Sequence, residues 1–79
     1  MVIKVLGSGC ANCQKLETVA REAVAQLGID AEVVHVQGIG DIMAYGVMST
    51  PALVVDDQVR LTGRVPSLDE VVQILKSAD

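Results

Sequence analysis

A chain of 79 residues with 51% hydrophobic content is expected to form one small domain, whose core is aliphatic because Tyr45 is its single aromatic residue. The formal net charge of −4 offers no electrostatic footprint for nucleic acid or for an anionic membrane surface. No apolar run has the length of a membrane span, and the N-terminus lacks a signal-peptide pattern, so we expect a cytoplasmic protein with no membrane partner.

The first half of the chain predicts a strand, a helix and a second strand. Residues Val2 to Leu6 form a short apolar run that predicts a buried strand, and Gly7 and Gly9 then allow the chain to turn. A long helix is predicted to begin near Cys10 and to end at Gly28. Its apolar face is formed by Leu16, Val19, Ala20, Ala23, Val24 and Leu27.

Residues Ala31 to Val36 predict the second strand. Its valines leave little polar alternation, which favours a strand covered on both sides. A strand–helix–strand unit with a connection of this length predicts that the two strands are parallel.

The second half predicts a short helix, a hairpin and a final helix. Residues 38–40 predict a loop, and residues 41–45 a short helix. Two strands, 52–55 and 59–62, are predicted around a tight turn at residues 56–57. The resulting order is βαβαββα, which is an α/β pattern.

A capping pattern in the sequence predicts where the last helix begins. Ser67 and Glu70 have the spacing of a capping box, in which each side chain accepts a hydrogen bond from the other residue's backbone N–H. The apolar face of this helix carries Leu68, Val71, Val72 and Leu75.

Cys10 and Cys13 are the only cysteines, and they lie at the first strand-to-helix junction. Two residues separate them, so they occupy neighbouring positions on one helical turn. A helix N-terminus favours the thiolate form, which predicts that Cys10 is the more acidic and more exposed nucleophile. Cys13 shares the buried face with Leu16 and would be the resolving thiol. A cytosolic Cys-x-x-Cys beside a βαβ pattern is typical of redox or metal chemistry.

Two motifs together resemble a known family. They are Cys10-Ala11-Asn12-Cys13 after the first strand and Ser49-Thr50-Pro51 before the third. With this element order, the whole chain is similar to the small redox-active disulfide proteins, which are minimal thioredoxin- and glutaredoxin-like proteins. The resemblance implies a single thioredoxin-like domain over residues 1–79, with a four-stranded mixed sheet flanked by helices.

The same resemblance implies the function. Cys10 and Cys13 would form a redox-active disulfide, and a cis Thr50–Pro51 peptide would face them and position the substrate. The protein would be a thiol–disulfide oxidoreductase or small electron carrier that needs no cofactor. Protein or small-molecule disulfides would be its substrates, and a thioredoxin-reductase-like flavoprotein its possible reductant. Gly63-Arg64 replaces the Gly-Gly-x-Asp segment of glutaredoxins, so glutathione binding is not implied.

Other interpretations remain open at this stage. The two thiolates could bind Cu(I) or Zn(II) in a metal-binding or chaperone module, although a closed zinc site needs four ligands and His35 lies on another element. Gly7-x-Gly9 with Asp30 is a weak dinucleotide signal, because Asn12 stands where the third glycine belongs. The thiols could also be inert in a binding module.

Four further residues are interpreted as structural. His35 lies within an apolar strand and is expected to be a satisfied structural histidine, and Tyr45 is expected to pack. Met43 and Met48 are interpreted as core or groove-lining residues and not as copper ligands.

Overall fold

The computed structural model describes residues 1–7 and 11–77. Seven elements follow one another in the predicted order βαβαββα. They are β1 Val2–Leu6, α1 Ala11–Leu27, β2 Glu32–Val36, α2 Ile39–Ala44, β3 Ala52–Val55, β4 Gln58–Thr62 and α3 Leu68–Ser77.

The four strands form one mixed sheet in the order β2-β1-β3-β4. β1 pairs with β2 in parallel, as the strand–helix–strand pattern predicts, whereas the β1–β3 and β3–β4 pairs are antiparallel. Leu6 at the end of β1 lies opposite Ala52 at the start of β3. The residues that follow β1 and those that precede β3 therefore meet at one edge of the sheet.

Helices cover both faces of the sheet, which confirms the predicted thioredoxin-like α/β architecture. α1 and α3 pack on one face, where Ile3 and Val5 of β1 join the larger apolar core. α2 covers part of the other face, where Ile42 packs with Leu6 and Val54. Because side chains alternate along a strand, β1 contributes to both cores and holds the two layers together.

β2 is less buried than the prediction of a strand covered on both sides implies. β2 is an edge strand, and none of its five residues is buried. β1 and β3 occupy the centre of the sheet, and every residue of β3 is buried. β2 carries Glu32 and His35 among its valines, whereas β3 is wholly apolar, so the composition of the two strands agrees with their edge and central positions.

α2 begins earlier than predicted, because Ile39 and Gly40 belong to the helix and not to a loop. The Ile42 amide donates to the Gly38 carbonyl at 3.0 Å and closes the first turn. Ile42 is also only 6% exposed. Its burial against the sheet outweighs the low helix propensity of Gly40. The helix ends at Ala44, one residue before the predicted end.

The local signals of the hairpin and of the last helix act largely as predicted. Asp56 and Asp57 both have positive φ, 48° and 66°, which is the conformation of a type I′ turn. The Glu70 amide donates to the Ser67 hydroxyl at 3.2 Å, which is one half of the capping box. The other half is replaced, because the Glu70 carboxylate accepts two hydrogen bonds from Arg64.

Candidate active site

Cys13 lies in the first turns of α1, and its side chain has no solvent exposure. It shares the buried face of the helix with Leu16 and Ala20, which confirms the predicted burial. Cys10 lies outside the described residues, so its exposure and its pairing with Cys13 stay predictions.

Gly7 makes the close approach of β1 to Cys13 possible. A β-carbon at Gly7 would collide with Cys13 Sγ and would lie 2.9 Å from Cys13 Cβ. The Gly7 amide also donates to the Val36 carbonyl at 2.9 Å, which continues the β1–β2 pairing by one residue. The sequence suggests only that Gly7 allows a turn. Its steric role depends on a residue six positions away and has no local signal.

Thr50 and Pro51 lie at the same edge of the sheet as Gly7. The peptide bond between them is cis, Thr50 is exposed and Pro51 is buried. The Pro51 carbonyl accepts a hydrogen bond of 2.8 Å from the Gly63 amide. Since Leu6 and Ala52 are register partners, the next residue outward on each strand is Gly7 or Pro51. The fold thus brings the Cys13 end of α1 and the Thr50–Pro51 segment together.

An apolar pocket of about 340 Å³ opens beside Thr50. It lies between α2 and the segment that leads to Thr50. Its lining residues are Ile39, Ile42, Met43, Val47, Met48 and Thr50. Met48 is 99% exposed, Ile39 70% and Met43 67%, whereas large apolar side chains usually lie inside. Met43 and Met48 are therefore groove-lining residues, one of their two predicted roles.

Tyr45 has a polar role besides packing. Lys4 Nζ donates to the Tyr45 hydroxyl at 2.6 Å, and that hydroxyl donates to Asp57 Oδ1 at 3.1 Å. The hydrogen bond to Tyr45 is the main cause of a raised pKa at Lys4. The three side chains connect the end of α2 to β1 and to the hairpin turn, and Tyr45 is not a lining residue of the pocket beside Thr50.

His35 is only partly satisfied, in contrast to the prediction. Its side chain is 19% exposed, and its Nδ1 lies 3.3 Å from Glu17 Oε1 on α1. Its Nε2 is buried and has no hydrogen-bond partner within the described chain. Unpaired buried polar atoms are rare in folded proteins, so this atom requires an explanation.

Residues 1–7 and 11–77 contain no cluster of three or more His, Cys, Asp and Glu side chains that could hold a metal ion. Over the same ranges, no helix combines the length and the apolar character that crossing a bilayer requires.

Comparison with known proteins agrees with this geometry. The thioredoxin-domain family profile matches residues 1–76. A thioredoxin of Methanothermobacter thermautotrophicus is 47% identical over 75 residues, which cover 95% of this chain and 97% of that protein. A thioredoxin of Methanocaldococcus jannaschii is 38% identical over 77 residues, which cover 98% and 88%. The chain therefore belongs to the thioredoxin family and is a thiol–disulfide oxidoreductase.

Proposed function

We propose that Cys10 and Cys13 are the redox-active pair and that the protein reduces disulfides in other proteins. Cys10, as a thiolate, attacks a target disulfide and releases one target sulfur. Cys13 then attacks Cys10, the mixed disulfide breaks, and a Cys10–Cys13 disulfide forms as the second target sulfur leaves. The target gains two electrons, and the cysteine pair loses them.

The observation that carries this proposal is the placement of Cys13. Its side chain has no solvent exposure and lies against Gly7, at the edge of the sheet where Thr50 and Pro51 also lie. A buried sulfur is out of reach of a large substrate but could react with a cysteine three residues earlier in the chain. This supports Cys10 as the attacking thiol and Cys13 as the resolving one.

Thr50 and Pro51 are proposed to position the substrate. Thr50 is exposed and lines the apolar pocket, so a target chain that passes Thr50 could place an apolar side chain there. This favours protein disulfides over small ones, although small-molecule disulfides would still reach Cys10. A thioredoxin-reductase-like flavoprotein is the proposed reductant and the cytoplasm the proposed compartment. In that cycle the protein acts as a small electron carrier.

Turnover with dithiothreitol as reductant and a protein disulfide as substrate tests the activity. The wild-type protein should accelerate the reaction, and Cys10→Ser should abolish the acceleration. An inactive wild-type protein that instead retains Cu(I) or Zn(II) against a chelator would favour the metal-binding alternative.

Trapping in cell extract tests the two roles. Cys13→Ser should accumulate covalent complexes that disappear on reduction, because the first step proceeds and the second is blocked. Cys10→Ser should accumulate few. Equal trapping by both variants, seen on non-reducing gels, would contradict the assignment of Cys10 as the attacking thiol.

A further inference from the structure

The resolving step of the proposed reaction needs a proton acceptor. In the mixed-disulfide intermediate Cys13 would be a thiol that must lose its proton to become a strong nucleophile, and the Cys13 side chain has no solvent exposure in the structure. A basic side chain within the protein, close to the buried face of α1, could accept this proton.

His35 presents such a base on the correct face of the sheet. It is the register partner of Val5, which packs in the core beneath α1, so the imidazole lies on the α1 side. Its neighbour Val36 accepts the hydrogen bond from Gly7, and Gly7 contacts the Cys13 side chain. Glu17, which contacts the ring, is four residues after Cys13 on α1. Side chains with this spacing leave a helix on one face, with about 5–6 Å between their β-carbons.

The contact with Glu17 determines which ring nitrogen can act as a base. A carboxylate only accepts hydrogen bonds, so the 3.3 Å distance from Nδ1 to Glu17 Oε1 favours the neutral tautomer with its proton on Nδ1. In the neutral ring, Nε2 is then an unprotonated acceptor. This is the buried atom that has no partner in the described chain.

The side chains that face His35 come from α1, from β1 and from its own strand. From α1 it faces Glu17, whose second oxygen lies 3.5 Å from Arg21 Nε at the surface. Its register partner on β1, Val5, and Val33 on its own strand are apolar. When the ring gains a proton, Glu17 is the described carboxylate placed to stabilise the imidazolium.

We propose that His35 Nε2 accepts the proton of Cys13 as Cys13 attacks the mixed disulfide, and that Glu17 holds the imidazole in the required tautomer. Nε2 makes no hydrogen bond with Cys13 Sγ in the structure, so the proton moves from Cys13 Sγ to Nε2 through one water molecule. The Cys13–Cys10 bond forms, the bond from Cys10 to the target breaks, and the target sulfur leaves as a thiolate. His35 then returns its proton to solvent. This inference rests on the proposed roles of Cys10 and Cys13.

A two-step reaction with dithiobis(nitrobenzoate) separates the two chemical steps. Cys10 attack releases the first coloured thiolate, and Cys13 attack on the resulting mixed disulfide releases the second. General bases contribute about 10²- to 10⁴-fold to proton-transfer steps. In His35→Gln we expect the second release to slow at least tenfold, while the first release keeps its rate. Glu17→Gln should slow the second release by a smaller factor.

The matched control is Arg21→Gln, which removes the exposed partner of Glu17 but leaves Glu17 and the ring in place. Its second release should keep the wild-type rate. The pH profile of the second release should differ between wild type and His35→Gln, because only the wild-type step uses the imidazole as proton acceptor.

A measurement on the wild-type protein does not depend on any variant folding. Since the chain has one histidine, its ring nitrogen resonances are unambiguous, and they should report the tautomer protonated at Nδ1. The other tautomer, or equal slowing of both releases in His35→Gln, would overturn the role of His35. No release of either thiolate by the wild-type protein would instead refute the proposed dithiol function.

Discussion

Gly7 and Cys13 share a space that is too small for one more carbon atom. The Cys13 side chain occupies the position in which a β-carbon on Gly7 would lie, with Cys13 Cβ only 2.9 Å away from it. The glycine is therefore required by its neighbour and not by a special backbone conformation. Gly7, which the sequence places in a turn, therefore lies directly against Cys13 in the candidate active site.

Gly7→Ala should destabilise the protein and displace Cys13. Overpacking a well-filled core costs about 1–3 kcal/mol, and we expect a loss of that size in urea unfolding. The displaced Cys13 should also resolve the mixed disulfide more slowly. Gly40→Ala is a matched control, because a β-carbon at Gly40 would have no neighbour within 4 Å. That change should raise stability by about 0.5–1 kcal/mol, since alanine is the better helix former. Equal effects of the two changes would contradict the steric argument.

Met48→Lys should lower activity on protein disulfides more than on small ones. Met48 is 99% exposed and lines the pocket beside Thr50, so its loss should hardly affect folding. If a target side chain packs against it, a loss of about 1.4 kcal/mol corresponds to a tenfold decrease in kcat/KM.

The comparison needs two substrates and a control variant. Turnover of dithiobis(nitrobenzoate) by Met48→Lys should stay within twofold of wild type, because that compound has no polypeptide chain that could place a side chain in the pocket while its disulfide reacts. Val59→Lys changes another partly exposed apolar residue, on β4 and outside the pocket, and should leave both activities unchanged. An unaltered kcat/KM for the protein substrate in Met48→Lys would exclude the pocket from substrate binding.

The Arg64–Glu70 pair should make stability depend on pH in the acidic range. The hydrogen bonds from Arg64 hold the pKa of Glu70 below its ordinary value of 4.5. A lowered pKa means that the ionised carboxylate is favoured in the folded state. The pair therefore stabilises the fold above about pH 4.5, and this contribution disappears as the pH falls through the folded-state pKa.

Unfolding of Arg64→Gln at pH 7 and at pH 3 measures this effect. The difference in stability from wild type should be larger at pH 7 than at pH 3. Ser67→Ala supplies a comparison within the same helix start, where loss of an N-cap costs about 0.5–2 kcal/mol. The serine hydroxyl does not titrate, so this cost should be similar at both pH values. A pH-independent effect of Arg64→Gln would show that the pair contributes no charge-dependent stability.

Cys10 should react as a thiolate at lower pH than an unperturbed cysteine. α1 has 17 residues and no acidic side chain in its first turn, so no carboxylate there opposes the positive end of the helix dipole. In Cys13→Ser, where Cys10 is the only thiol, the alkylation rate should rise at lower pH than for free cysteine. A rise at the same or higher pH would remove helix activation from the mechanism.

The sequence by itself determined the features that depend on neighbouring residues. The apolar spacing of α1 placed Cys13 on the buried face, and Gly28 ended the helix with a positive φ of 64°. Asp56 and Asp57 defined the hairpin turn, and Ser67 capped α3. The element order and the two motifs around Cys13 and Pro51 were enough to indicate the thioredoxin-like fold. Each of these signals acts over a few residues, which is why it can be read along the chain.

Only the tertiary structure decided the relationships between distant residues. β2 lies at an edge because β1 pairs with β3 on its other side, and these two strands are separated by more than forty residues of chain. The carboxylate of Glu70 binds Arg64, six residues earlier, in place of the adjacent backbone. His35 Nδ1 lies beside Glu17 of another element, and its Nε2 has no partner within the described chain. These outcomes depend on which surfaces are enclosed when the sheet and helices pack, and packing brings together residues that share no local pattern.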